Sequence, residues 1–527
     1  MYQAAVLIYR LIEHKRSFFR GVSSWSWNVD CDFKKHEIHF IKTVLKKPCF
    51  FEIKSNRITQ PPGNSHCPLL MKLWRNQTLV SPQTTQDFRS KVTALCYTRD
   101  NKFLGVATSD RLISIYDEQG NRVDKFNTKP NNKGPKDYIV RSIQFGPEVH
   151  SPKLVVGQTD CIVFVYKWST STNDDTEKVW GGKKSICNKF VETSPIVSVV
   201  WPDNNPSQCV YALMEGKIKI GNLRTNQSQL LYSIQSRAVS LALNSTATEL
   251  LSGHSDGAIY KFTFPTKSCK ATCSKIVTHS HPPYLLCWGQ SICVADSVMT
   301  FYGIDGSEQI IGEADDLSRD ERSNGYTMTC ASPNGYSIAA GSFDTFSLFV
   351  WDPLAQRWGK SVTRSVENMC SVTAFTWAWN GSGIALGTST GLLDTYNAAY
   401  RQYIYKGAYE ITHVSLSEVL VHDKKTPNSS PIMLSSSHGE IVKVKIYRCP
   451  ETNNELRYLI AKTKGSLILC DLKSSRSIQA FEIEWYAGDD HQEKFIFDAP
   501  EACIISHAGE LTIVEVMIEY LIIYSIY

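Results

Sequence analysis

The chain has 527 residues, 42% of them hydrophobic and 20% charged, with a formal net charge of +5. At roughly 150 residues per domain that length allows about three or four domains, and the composition is that of a globular protein, too apolar for a disordered one. So small a charge is no footprint of nucleic-acid binding, and it is uneven: residues 1–70 hold 11 Lys and Arg against 5 Asp and Glu, leaving 45 against 46 in residues 71–527.

At the N-terminus a short apolar run is broken by Arg10 and has no basic residue ahead of it, which makes a poor signal peptide. Residues 1–70 read as an extra segment, poorly ordered or not native. Within it, His36-Glu37-Ile38-His39 lacks the two-residue gap that sets both histidines of a zinc motif on one helix face, and Lys42–Lys47 reads as a solvated stretch. The 16 cysteines form no C-x-x-C pair; Cys269 and Cys273 are the closest spaced. That scatter fits free thiols in a reducing compartment rather than a zinc site.

From about residue 91 one pattern recurs. An apolar stretch ends in an aromatic residue, a polar turn follows, a second apolar stretch ends in small residues, and an acidic turn leads into an alternating strand. The copies run Val92–Asp117, Val140–Tyr166, Ile196–Ile220, Ala238–Phe262, Tyr284–Tyr302, Met328–Asp352 and Val372–Tyr396. The turn acids Asp110, Asp160, Glu215, Asp256, Asp296 and Asp344 fall about 40 to 55 residues apart, the period of a four-stranded propeller blade. An acid in such a turn can accept backbone N–H bonds. The small residues ahead of it let strands near a central channel approach closely, and the recurrent aromatics Tyr97, Phe145, Trp201, Trp288 and Trp377 fill the gap between neighbouring blades. The reading is all-β: a seven-bladed WD-repeat β-propeller over residues 71–400. Only Trp351-Asp352 matches the WD dipeptide literally.

Weaker copies follow. Pro431–Glu440 leads into Ile441–Ile446, Tyr458–Gly465 into Ser466–Cys470, and Lys494–Phe497 precedes Ala502–Glu510 and Leu511–Val514. They predict an incomplete second β-propeller over residues 401–515. Val516–Tyr527 leaves the pattern as an aberrant tail; interrupted by Glu519, it is far short of the roughly 18 apolar residues a membrane helix needs, so no transmembrane segment is expected.

The sequence holds no Walker A run and no G-x-G-x-x-G. Gly387–Gly391 fits the G-x-S-x-G pattern, but that motif needs a strand-to-helix elbow, and here both flanks read as strands. Acids repeated once per blade are structural positions, whereas catalytic acids converge on one pocket. No enzyme, cofactor or metal is expected.

Longer strings carry a resemblance. Tyr116–Pro130, Gly157–Asp160 with Val165–Lys167, Trp180 with Ile186–Phe190, Leu251–Gly257, Pro282–Tyr284 and Ala508–Thr512 occur in an order that resembles the intraflagellar transport protein 172 family. Met71–Leu73 followed by Leu79–Gln83 is similar to that family's own N-terminus. The resemblance covers about residues 71–515 and implies a non-catalytic scaffold of intraflagellar transport complex B, required for cilium assembly. It also implies partners among the other complex B subunits, one of which docks a calponin-homology domain on the first propeller. The implied location is the cilium, at axoneme and basal body, and the cytoplasm in association with the cytoskeleton. The family continues into a completed second propeller and a helical solenoid, so residues 1–70 are expected to be upstream sequence wrongly joined, and residues 516–527 intron-like read-through. The alternative is another propeller-plus-solenoid protein, such as a vesicle-coat subunit. A propeller enzyme would need several acids or histidines converging in the channel. The loops Asn127–Lys136 and Thr170–Glu177 are candidate contact sites on loop grounds alone.

Overall fold

The structure, a computed structural model, describes residues 71–80, 90–132, 137–149, 151–168, 184–266, 270–309, 325–353, 355–366, 371–405, 408–424, 431–436 and 440–448, and after that the strands between 456 and 526. His36–His39, Lys42–Lys47 and Thr170–Glu177 lie outside the described residues, as does the rest of residues 1–70. Among the described residues every regular element is a β-strand, and the strands form ten four-stranded antiparallel sheets. No described helix is long and apolar enough to cross a membrane. The chain divides into two units, one of residues 68–447 and 456–483, the other of residues 1–67, 448–455 and 484–527.

Seven sheets of the larger unit are blades, each with strands A to D in order from the inside outwards. In blade 1 these are Val92–Tyr97, Phe103–Thr108, Leu112–Asp117 and Arg122–Asn127. Their burial follows the chemistry of the sequence. Strands B and C are apolar on both faces and buried throughout, whereas strand D, Arg-Val-Asp-Lys-Phe-Asn, buries only Phe126. Blades 2 to 6 repeat this over residues 140–191, 196–233, 238–278, 285–309 and 328–365. Blade 7 takes strands A to C from Val372–Trp377, Gly383–Thr388 and Leu393–Ala399, and its strand D from the other end of the larger unit, Lys72–Val80. This fourth strand is absent from the sequence reading. Leu73 and Val80 are buried along it, as is Met71 just ahead of it; Trp74 and Leu79 are half-buried, and the other five residues are polar.

Each strand A touches the strand A of the next blade, and Val92–Tyr97 touches both Val140–Phe145 and Val372–Trp377, so the ring closes. Every one of the seven junctions has its own apolar cluster, from blades 1 and 2 round to blades 7 and 1. Hydroxyls add stitches between neighbouring blades, at the A strands or the residues just ahead of them. Ser240 Oγ donates to Pro283 O (2.6 Å), Thr327 Oγ1 to Val372 O (2.6 Å) and Thr373 Oγ1 to Val92 O (2.7 Å). Each such bond contributes about 1 kcal/mol net, against about 1.5–3 kcal/mol for every large apolar side chain fully buried. The clusters therefore hold the ring and the hydroxyls set its register. In five blades strand A carries a β-bulge at the same place, at Thr93, Arg141, Val197, Val239 and Thr373, which bends the strand along the channel wall.

After the ring, Arg401–Tyr405, Tyr409–His413, Glu418–Asp423 and Ile432–Ser435 make one sheet, and Ile441–Arg448, Leu456–Thr463, Ser466–Asp471 and Arg476–Glu482 the next. One cluster built on Ile411, Val421, Leu434, Val444 and Ile446 joins them. They are blades of a second, incomplete propeller. The structure groups their strands differently from the sequence reading, which joined Pro431–Glu440 to Ile441–Ile446. The half-buried tyrosine-rich strands Arg401–Tyr405 and Tyr409–His413 take the inner places, so Ile432–Ser435 becomes the outermost strand of its sheet. In the smaller unit Lys494–Ile496, Ala502–His507, Glu510–Val516 and Leu521–Ile526 pair in that order. The tail that the sequence reading set apart thus supplies a fourth strand.

Candidate docking face

Antiparallel order within the blades settles which residues share a face. The B–C turns and the links from strand D to the next strand A lie at one end of the ring, the A–B and C–D turns at the other. All six acids lie in B–C turns at the first end, one in each of blades 1 to 6. Asp110 is exposed and accepts the Thr108 hydroxyl. Asp256 and Asp296 cap their own turns, accepting the amides of Ala258 (3.1 Å) and Val298 (2.9 Å). Partial burial works against ionisation of both, yet these amides, with the neighbouring Ser236 and His279 side chains, hold each carboxyl below its ordinary value. Asp160 is fully buried and accepts the Asn131 amide at 2.7 Å; burial raises its carboxyl above the usual range. Glu215 pairs with Lys217 at 3.0 Å, which holds its carboxyl low. Asp344 takes part through its carbonyl, which accepts the Val366 amide. The structure spreads these acids round one rim, one to a blade.

The five aromatics end the A strands of blades 1, 2, 3, 5 and 7 and stand at blade junctions. Phe145 lies against Gly105 of blade 1, and the Trp377 indole donates to Cys330 O of blade 6 at 3.1 Å. Trp201 and Trp288 are buried in the clusters shared with blades 2 and 4, and Tyr97 packs on the cluster shared with blade 7. Gly387–Gly391 connects two strands of one blade, with Gly391 at φ +86°, so no strand-to-helix elbow exists there. Cys96, Cys161, Cys187, Cys209, Cys273, Cys287, Cys293 and Cys330 are free thiols.

At the centre a channel of about 870 Å³ is walled by the A strands of all seven blades. Among the described residues its wall offers one carboxylate, Asp203, which is tied to Arg99 at 2.8 Å. The outer surface is more informative. Of the large apolar side chains left exposed on the ring, Ile139, Val191, Met214, Tyr284, Val298 and Phe343 lie at the B–C end, Val149 and Ile304 lie at the other, and Leu230 lies mid-strand on the outer edge of blade 3. Tyr284 and Val298 are each 61% exposed. Single exposed apolar residues are ordinary; here they fall six at one end against two at the other. The same rim holds two residues that the sequence reading passed over, His279 and His281, both beside Asp296. Their only sequence signal is an H-x-H pair just before blade 5.

A closed ring of seven four-stranded blades with acid-bearing B–C turns defines a WD-repeat β-propeller protein. No protein-family model matches the chain. It is 36% identical over 451 residues, 84% of its length, to the intraflagellar transport protein 172 homolog of Mus musculus, and 35% identical over 436 residues, 81% of its length, to intraflagellar transport protein 172 of Chlamydomonas reinhardtii. With intraflagellar transport protein osm-1 of Caenorhabditis elegans the identity is 30% over 435 residues, 82% of the chain. Over this stretch the chain is a homologue of intraflagellar transport protein 172. It spans about a quarter of the length of these curated relatives, 24%, 23% and 23% in turn.

Proposed function

We propose that this chain is a non-catalytic scaffold of intraflagellar transport trains. In this reading it works in cilium assembly, at the axoneme and basal body and in the cytoskeleton-associated cytoplasm, and its partners are other complex B subunits, among them one with a calponin-homology domain. The observation that supports the reading is sequence similarity across more than four-fifths of the chain to proteins named for intraflagellar transport. The ring suits the role, because a rigid propeller presents rims and faces to several partners at once. The apolar B–C rim is the proposed docking surface.

The test is affinity capture of the tagged full chain from ciliated cells, followed by mass spectrometry. Transport-train subunits are expected to co-purify. Recovery of vesicle-coat subunits instead, or of no train subunit, would overturn the proposal.

A further inference from the structure

The two ends of the channel differ. At the A–B end side chains cross it. The Arg99 guanidinium lies over the Trp379 ring, 4.5 Å from its centroid, and pairs with Asp203 at 2.8 Å. Beside them Asn204 Nδ2 donates to Ala247 O at 3.0 Å. These residues come from the A–B turns of blades 7, 1, 3 and 4, so the contacts skip blade 2 and span the ring. At the B–C end the wall carries two cations instead. Lys91 stands just ahead of strand A of blade 1, and Arg141 is the second residue of strand A in blade 2; both are exposed and line the channel. The β-bulge of its strand places Arg141 there. The bulge residues Thr93, Arg141, Val197, Val239 and Thr373 all line the channel, and re-aiming a side chain is what a bulge does. Four of them bring a hydroxyl or an apolar group to the wall, and in blade 2 the same device brings a charge. Among the described residues neither Lys91 nor Arg141 has a carboxylate partner. Tyr284, just ahead of strand A of blade 5 and so across the channel from Arg141, lines the same mouth and is largely exposed.

We propose, on the reading of the B–C rim as the docking surface, that the B–C mouth of the channel receives an acidic, extended segment of a partner protein, with one of its carboxylates paired to the Arg141 guanidinium. Charge selects the occupant. Two cations on adjacent blades, neither held by a carboxylate, attract an acidic segment and repel a basic one. A guanidinium also takes a carboxylate through two parallel hydrogen bonds, which fixes direction as well as affinity. The rest of the wall selects for an extended chain. A channel of about 870 Å³ is of the size that holds a small ligand, with room for a few side chains and none for a folded domain. Val197 and Val239 on the wall, and Tyr284 opposite Arg141, give an apolar residue beside the acid a place to pack. Tyr284 belongs both to the mouth and to the rim, so a segment leaving the channel runs directly onto the exposed apolar side chains of the B–C face. Because side chains cross the A–B end, the segment enters as a chain terminus or a loop tip and does not thread the ring.

The test selects a ligand by its chemistry. Phage-displayed random dodecapeptides are panned on the native full chain, and the recovered peptides are synthesised and titrated by calorimetry. Asp and Glu are expected to be enriched, and a recovered peptide remade with Asn and Gln in their place should bind at least about tenfold more weakly. Arg141→Glu should weaken the original peptide at least about tenfold, and Arg141→Gln should weaken it in the same direction. Arg141 is exposed, so both variants should keep the native Tm. Arg122→Glu, at an exposed arginine on the outermost strand of blade 1, makes the same change in net charge and should leave binding unaltered. Recovered peptides without acidic enrichment, or equal binding to native and Arg141→Gln protein, would overturn the proposal. Citrate that raises the Tm of the native chain but not of Arg141→Glu, with no acidic peptide recovered, would assign the mouth to a small anion and overturn it too. Panning uses no transport protein, so its failure leaves the transport reading standing, whereas failed capture of train subunits leaves the acid-binding mouth standing.

Discussion

Two residues, one in the ring and one in the sheet that follows it, show how narrow the packing tolerances are. A Cβ on Gly387 would sit 2.4 Å from Val92 Cγ1 and 2.7 Å from Val92 Cβ, so the absence of a methyl group sets how closely blades 7 and 1 approach. Gly387→Ala is expected to destabilise the ring by about 1–3 kcal/mol, the usual cost of overpacking. Chemical denaturation checks this, and Val92→Ala in the same chain should recover part of the loss because the two sites share one contact. His413 shows the opposite constraint, a polar group taken out of water. Its ring is buried against Tyr403, with Nε2 lacking a hydrogen-bond partner among the described residues. Burial, with Arg401 adding to it, lowers the imidazole from 6.5 to about 4. The unfolded chain therefore takes up this proton first as the pH falls, and stability drops between about pH 6.5 and pH 4, by about 3 kcal/mol for this group at about 1.4 kcal/mol per unit. Thermal melts across that range should show the loss, and His413→Gln should flatten it.

At the scale of the element, the closure of blade 7 depends on Lys72–Val80. Arg75 reaches Asp394 at 3.1 Å, and Asp394 is fully buried in strand C. Arg75→Ala should cost about 3 kcal/mol, the lower end for breaking a buried pair, because Arg75 itself is one-third exposed. Limited proteolysis should then cut this strand first, while the inner strands of blade 7 stay protected. An unchanged denaturation midpoint would show that packing of Met71, Leu73 and Val80 suffices. The same strand marks where the sequence stops being readable. Strands A to C of each blade are legible because they bury apolar residues at short, repeated spacing. Lys72–Val80 buries two of its nine residues and pairs with a partner some 320 residues away, so neither periodicity nor proximity signals it. The bulges at Thr93, Arg141, Val197, Val239 and Thr373 are equally silent, since four of the five are β-branched residues that suit any strand position. The site shows the same division. Asp296 is legible as a repeated turn acid. His279 and His281 are not, because the pairing of each with Asp296 comes from the closing of blade 4 onto blade 5.

For the whole molecule the question is which face of the ring meets its partners. Both faces carry inter-strand turns, the B–C face also the links from each strand D to the next strand A, and the two differ in what those segments expose. Met214 and Phe343, each 43% exposed in B–C turns, contrast with Val149 at 44% and Ile304 at 52% on the opposite side. All four are solvent-facing turn residues, so an acid at any of them should leave folding within about 0.5 kcal/mol of native. Binding should respond unequally. Apolar contacts at the centre of an interface are worth about 2 kcal/mol or more each, and a charge placed there also remains unpaired on docking. Met214→Asp combined with Phe343→Asp is therefore expected to reduce capture of transport-train subunits at least about tenfold, the equivalent of about 1.4 kcal/mol. Val149→Asp combined with Ile304→Asp should capture them as the native chain does. Quantitative mass spectrometry of parallel captures reads both. The reverse result, loss only in the second pair, would place docking on the A–B face and leave the apolar B–C rim without this role.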